Sequence, residues 1–150
     1  MAEKGTLALL LEIVRKEIGY VEGPKDNETK YGAFTKANFL PWCGSFVMWC
    51  ANEAGYKSMP NVVYTPAGVA GFQGKGLWSN AATAKPMPGD IIFFDFPGGD
   101  KTDHVGVVIK DNGDGTVTTI EGNTTADGKA GSQSNGGEVC ILSYNQRLGV

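Results

Sequence analysis

This 150-residue chain is poor in several things that define common protein classes, and the shortages narrow what it does. It has a single histidine, His104. Three cysteines cannot all pair internally, so no secreted disulfide framework is expected, and synthesis in a reducing cytoplasm fits. Lys and Arg total 13 against 16 acidic residues, a net charge of -3 with no basic cluster, which argues against nucleic acid as a partner. No apolar run is long enough to span a bilayer, so no membrane partner is expected. The run Ala8 to Leu11 is the nearest approach to a secretory signal. It is too short, has acidic residues on both sides and lacks a small-residue cleavage site. The expectation is synthesis in the cytoplasm without a signal peptide, with release by another agent if the protein acts outside.

What is present is a core. A hydrophobic fraction of 41% with three Trp, five Tyr and seven Phe indicates one packed domain over 1–150, large enough to fold without metal or disulfide staples. Leu7, Leu10, Leu11, Val14 and Ile18 share a helical face between Gly5 and Gly19, with Thr6 as N-cap and Gly19 as stop. Residues 22–32 read as a polar loop leading into a short helical stretch at Tyr31. Asp26 and Glu28 lack the ligand count and glycine spacing of a calcium loop, so no metal or other cofactor is expected. After Ala54-Gly55 periodicity is weak up to Ala84, where Tyr64, Phe72 and Trp78 stand among glycines.

Sixteen of the 22 glycines lie at or after Gly68, and there the chain turns from helical to strand-and-turn patterning. Pro86-Met87-Pro88-Gly89-Asp90 signals a turn before a strand over Ile91 to Phe96, closed by Pro97-Gly98-Gly99-Asp100. His104 to Lys110 and Thr116 to Asn123 flank the hairpin residues Asp111-Asn112-Gly113-Asp114-Gly115. Residues 122–137 form a long polar loop, and Glu138 to Tyr144 is a last strand. The predicted class is α+β, with N-terminal helices packed on a C-terminal antiparallel sheet.

Two spacings suggest chemistry. In Leu40-Pro41-Trp42-Cys43-Gly44-Ser45-Phe46-Val47-Met48-Trp49-Cys50, the apolar positions Phe46, Val47, Cys50, Ala51 and Ala54 recur at helical spacing, placing Cys43 in a first turn. Unpaired amides and the positive end of the dipole there favour a thiolate, the nucleophilic form. In the hairpin, residues whose numbers sum to about 225 to 227 lie opposite one another, which puts His104 across from Glu121 or Asn123 at a Cβ separation of roughly 4.5 to 5.5 Å. Val105, Val107 and Ile109 then face the core, and His104 stands on an opposite face that Gly106 keeps open. A carboxylate or amide behind the ring fixes its tautomer and stabilises the imidazolium formed when the other nitrogen accepts the thiol proton.

Four blocks in order, Pro41 to Val47, Pro88 to Phe94, Asp103 to Val108 and Ile120 to Thr124, together with Thr29-Lys30-Tyr31-Gly32, resemble the CHAP domain, the cysteine, histidine-dependent amidohydrolase/peptidase family. The resemblance runs from about Tyr20 to the last strand. It implies a papain-like fold and hydrolysis of an amide in bacterial peptidoglycan, as in many phage endolysins, by a monomer that lyses the cell wall. By position it implies Cys43 as nucleophile, His104 as general base and then acid, Glu121 as the group orienting His104, and Asn123 as a further polar member. The Cys43 backbone N–H is a natural oxyanion donor, with Tyr31 or a neighbouring backbone group a candidate for the second. Tyr31, Trp42, Tyr64 and Trp78 are the expected substrate contacts. Cys50 and Cys140 match no catalytic position. The Asp-x-Asp calcium motif of some relatives has no counterpart here, nor does an appended wall-binding domain. The alternatives are an NlpC-type cell-wall peptidase, whose usual Asp before the Cys is Trp42 here, a non-catalytic wall-binding module, and a protease of ordinary proteins.

Overall fold

A computed structural model describes residues 2–95, 104–126, 132 and 135–145. Four helices precede four strands: α1 Leu7–Lys16, α2 Lys30–Thr35, α3 Cys43–Glu53, α4 Thr65–Gly74, β1 Ile91–Phe94, β2 His104–Asp111, β3 Thr116–Thr124 and β4 Glu138–Asn145. The strands form one antiparallel sheet in the order β1-β2-β3-β4. This is the α+β arrangement read from the sequence. The predicted turn at Pro97 to Asp100, the residue Phe96, the neighbouring Asp103 and much of the loop over 122–137 lie outside the described residues.

Helix α1 starts where Thr6 accepts a hydrogen bond from the Leu9 amide, and Gly19 leaves it at φ +95°. Its buried face differs from the expected one. Leu9, Leu10 and Val14 are inside, whereas Leu7 and Ile18 are 44% and 40% exposed. Helical geometry stops at Lys16, so Ile18 no longer follows the helical period, and Glu17 turns inward to accept the Tyr31 hydroxyl.

Helix α4 lies in the stretch whose weak periodicity concealed it. Gly68, Gly71 and Gly74 lower its intrinsic propensity, yet two of them permit close packing. A Cβ at Gly68 would sit 2.9 Å from Val62 and 3.1 Å from Phe93, and one at Gly71 2.9 Å from Pro60. Tertiary packing here overrides local preference.

The sheet meets the helices through Phe93, Val105, Val107, Ile109, Ile120 and Val139, which join Leu10, Val14, Phe46, Val47 and Cys50 in one core. The opposite face is covered too: Ile92, Phe94, Val108, Val117, Cys140 and Leu142 form a second buried cluster. The N-terminal segment closes the β4 side, with hydrogen bonds between Gly19 N–H and Val139 C=O and between Val139 N–H and Tyr20 C=O, both 2.9 Å. That blunts an edge otherwise open to pairing.

Candidate active site

The first residue of α3 is Cys43, and its placement is built from both sides in sequence. Trp42 precedes it without capping the helix through its side chain, so the amides of the first turn are not satisfied from there. The Trp42 indole is locked instead. Its ring stacks on Tyr31 at 5.5 Å, and its Nε1–H donates to Glu22 at 2.9 Å. Ser45 bonds Thr35 at 2.6 Å and ties α3 to α2. Gly44 admits the loop after α3 to contact, since a Cβ there would lie 2.1 Å from the Val62 carbonyl oxygen.

The other half of the site comes from the sheet. The β2–β3 ladder pairs Val107 with Ile120 and Val108 with Thr119, inside the predicted register, before a shift between Val108 and Lys110. Of the two partners left open for His104, the structure selects Glu121: Nε2 and Oε1 are 2.6 Å apart, with both side chains wholly buried. Thr119, two residues earlier on the same strand face, donates a very short hydrogen bond to the other carboxylate oxygen. Thr119 carries no motif of its own in the sequence; its only signal there is the i−2 spacing from Glu121. Asn123 is also buried, but its side chain serves the neighbouring loop. Its amide donates to Asn135 at 3.2 Å, and its oxygen accepts from Gly137 N–H at 3.1 Å.

The Cys43 side chain lies beside the His104 ring and acts on its charge. Burial is the largest influence on the imidazole and disfavours its charge, but the Cys43 sulfur and then Glu121 outweigh it, raising the pKa to about 10. The ring thus stands between a sulfur and a carboxylate, both of which favour its protonated form.

One expectation about this face needs correction. Gly106 was expected to leave the His104 side open, yet the face is filled. A Cβ on Gly106 would fall 2.5 Å from Glu121 Cγ, so the missing side chain makes room for the carboxylate rather than for solvent. Cys43 is itself buried, at 5% exposed, and His104 is wholly so.

The aromatic residues expected to touch substrate divide in two. Tyr31 and Trp42 have no exposed surface, and they belong to a cluster with Tyr20, Phe46 and Trp49. The Tyr31 hydroxyl donates to Glu17 at 2.7 Å and is thereby engaged away from an oxyanion; burial, then Glu17, drives its pKa far up. Tyr64 is 59% exposed at the start of α4, and Trp78 is half-buried with Nε1–H on Asn80. Cys50 is buried with a pKa well above the usual thiol range, first through burial, as suits a core residue. In the 22–32 loop, Glu22 holds the neighbouring Asp26 carboxyl above its usual pKa, and among the described residues no group of three or more His, Cys, Asp or Glu is disposed to hold a metal.

No helix among the described residues is long and apolar enough to cross a membrane. No curated protein matches the chain. A family model does: the CHAP domain matches residues 35–123, from the end of α2 into β3, a narrower stretch than the resemblance noted above. The matched segment contains Cys43, His104 and Glu121 and spans more than half of the sequence. It implies peptidoglycan hydrolase or amidase/peptidase activity, and on that match the chain belongs to the CHAP-domain family.

Proposed function

We propose that the protein hydrolyses an amide bond of bacterial peptidoglycan, at the muramoyl–alanine junction or within the stem or cross-bridge, by a Cys43-His104-Glu121 thiol mechanism that leads to lysis, as the catalytic module of a phage endolysin. The observation that carries this reading is His104 beside the Cys43 side chain, with its Nε2 held 2.6 Å from Glu121 Oε1.

With Nε2 bonded to Glu121, the ring exchanges its proton with the sulfur through Nδ1. The Cys43 thiolate attacks the amide carbonyl carbon, a C–S bond forms, and the carbonyl π-electrons move to oxygen. The Cys43 backbone N–H at the start of α3 lies by position where it supports that oxyanion. Collapse of the adduct breaks the C–N bond, and His104 delivers its proton to the departing amine. Water then attacks the thioester as His104 takes its proton. The C–S bond breaks, releasing a carboxylate product and restoring the thiolate. Throughout, Glu121 keeps the ring oriented and Thr119 keeps Glu121 oriented.

The test is digestion of purified sacculi by the wild-type protein and by Cys43→Ala, with mass spectrometry of the released fragments. New amine and carboxyl termini with the wild type and none with Cys43→Ala are expected. Their masses assign the bond, since a freed muramic acid and a freed stem-peptide terminus differ. Equal release by both proteins, or by neither, defeats the reading.

A further inference from the structure

We infer that Glu22 is a positioning residue of the reaction, an inference that rests on the proposed function: through the Trp42 indole, its carboxylate sets where Cys43 stands relative to His104 and Glu121. Trp42 occupies the N-cap of α3 at φ −120° and ψ 17°, outside the extended backbone usual at that position, and its side chain has no oxygen with which to cap the first turn. What fixes it is the indole. The ring is wholly buried, stacks on Tyr31 at 5.5 Å and meets the Tyr20 ring edge-on at 6.0 Å. Stacking by itself leaves a ring free to slide or turn over in its slot. The bond from Nε1–H to Glu22 Oε1, at 2.9 Å, removes that freedom, because a charged acceptor is both strong and directional.

The same ring spaces the two halves of the site. Trp42 adjoins Cys43 in sequence, and its far edge lies against Gly122, the neighbour of Glu121: a Cβ on Gly122 would fall 2.9 Å from Trp42 Cζ3. A close-packed interior passes a displacement on rather than absorbing it. A shift of the indole therefore reaches the nucleophile on one side and the strand carrying the carboxylate on the other.

Glu22 is itself tied down. Its backbone N–H donates to Gly137 C=O at 2.9 Å, and its second oxygen, Oε2, accepts from Asn27 N–H at 2.6 Å. The Asn27 carbonyl in turn accepts from Phe39 N–H at 3.1 Å, holding Phe39 at φ +67°, a left-handed backbone that a bulky residue rarely adopts. One carboxylate thus pins both ends of the 39–42 segment that delivers Cys43, at Phe39 through Asn27 and at Trp42 directly. Burial opposes charge on Glu22, but the hydrogen bonds from Trp42 and Asn27 outweigh it and keep the carboxyl below its usual range.

The test uses the full chain carrying Glu22→Ala, Trp42→Phe or both, with two readouts. On sacculi, each single variant should lower kcat about tenfold or more with KM within about twofold. The double variant should be no worse than the poorer single one by more than about twofold, because both changes cut the same link. In the absence of wall, alkylation of Cys43 by iodoacetamide, located by peptide mass spectrometry, should reach half its maximal rate at higher pH in each variant. A thiol drawn away from the imidazole loses a group that favours its thiolate. Should the alanine variant not fold, Glu22→Gln takes its place; with one acceptor for two donors, it should show the same pattern at smaller size. An unchanged kcat, losses that multiply in the double variant, or an alkylation profile that does not move overturns the role of Glu22. A wild type that cleaves no wall removes the hydrolase reading instead, and the alkylation profile alone then decides for or against Glu22.

Discussion

His104 Nε2 lies 2.6 Å from Glu121 Oε1, and neither side chain has surface in contact with solvent. A buried pair of this kind is more sensitive to losing one member than to losing both. Glu121→Ala should therefore cost about 3 to 5 kcal/mol of stability, read by urea denaturation, because the buried ring loses the partner that holds its Nε2. Glu121→Gln keeps an acceptor for the ring N–H. It should lose less wall-lytic activity than Cys43→Ala or His104→Ala, each of which should abolish lysis.

The direction of the His104 shift sets the pH dependence. A ring whose folded pKa is raised to about 10 binds its proton more tightly than in the unfolded chain, near 6.5. The stability so contributed is fully present below the unfolded value and fades as pH climbs through the folded one. Activity that needs the protonated ring should fall over the same alkaline window. Because the chain has one histidine, a single imidazole resonance followed by NMR reads this titration without assignment ambiguity. A midpoint near 6.5 in the folded protein contradicts the charged pair.

Gly106 tests the geometry from the side. Alanine there places a methyl 2.5 Å from Glu121 Cγ and must push the carboxylate off the ring. The expected result is a folded protein destabilised by about 1 to 3 kcal/mol with most of its lysis gone. Its His104 resonance should titrate at lower pH than in the wild type.

Gly44 governs the other half. A methyl at this position meets the Val62 carbonyl oxygen at 2.1 Å and the Val63 Cα at 2.7 Å, both backbone atoms that side-chain rotation cannot clear. Gly44→Ala should lower the melting temperature by several degrees, at roughly 2 to 4 °C per kcal/mol lost for a domain of this size. The measurement is a thermal melt by circular dichroism.

Much of this was readable in the residues alone. Hairpin chemistry at Asn112-Gly113 together with a two-residue side-chain period put a carboxylate beside His104, and the apolar spacing after Cys43 put that cysteine at a helix start. What escaped was decided by packing. α4 is rich in glycine because its neighbours come close, a reason invisible to propensity. Tyr31 and Trp42 looked like groove residues because aromatic character does not reveal burial, and their polar tips are satisfied by Glu17 and Glu22 from a distant part of the chain. Asn123 shares the Glu121 face only in a regular strand. The register shift between Glu121 and Thr124 and a φ of +57° at Asn123 carry its side chain to the 135–137 segment instead.

The pairing of Gly19 and Tyr20 with Val139 has a practical consequence for module exchange. A hybrid enzyme cut at the borders of the family match would discard Glu17, Glu22 and Tyr31, which brace the helix bearing the nucleophile, and also the strand that shields β3. Such a graft would carry all three proposed reactive groups and still arrive with a loosened α3 and an adhesive sheet margin. Swaps that keep the whole stretch from α1 through β4 are the ones to build.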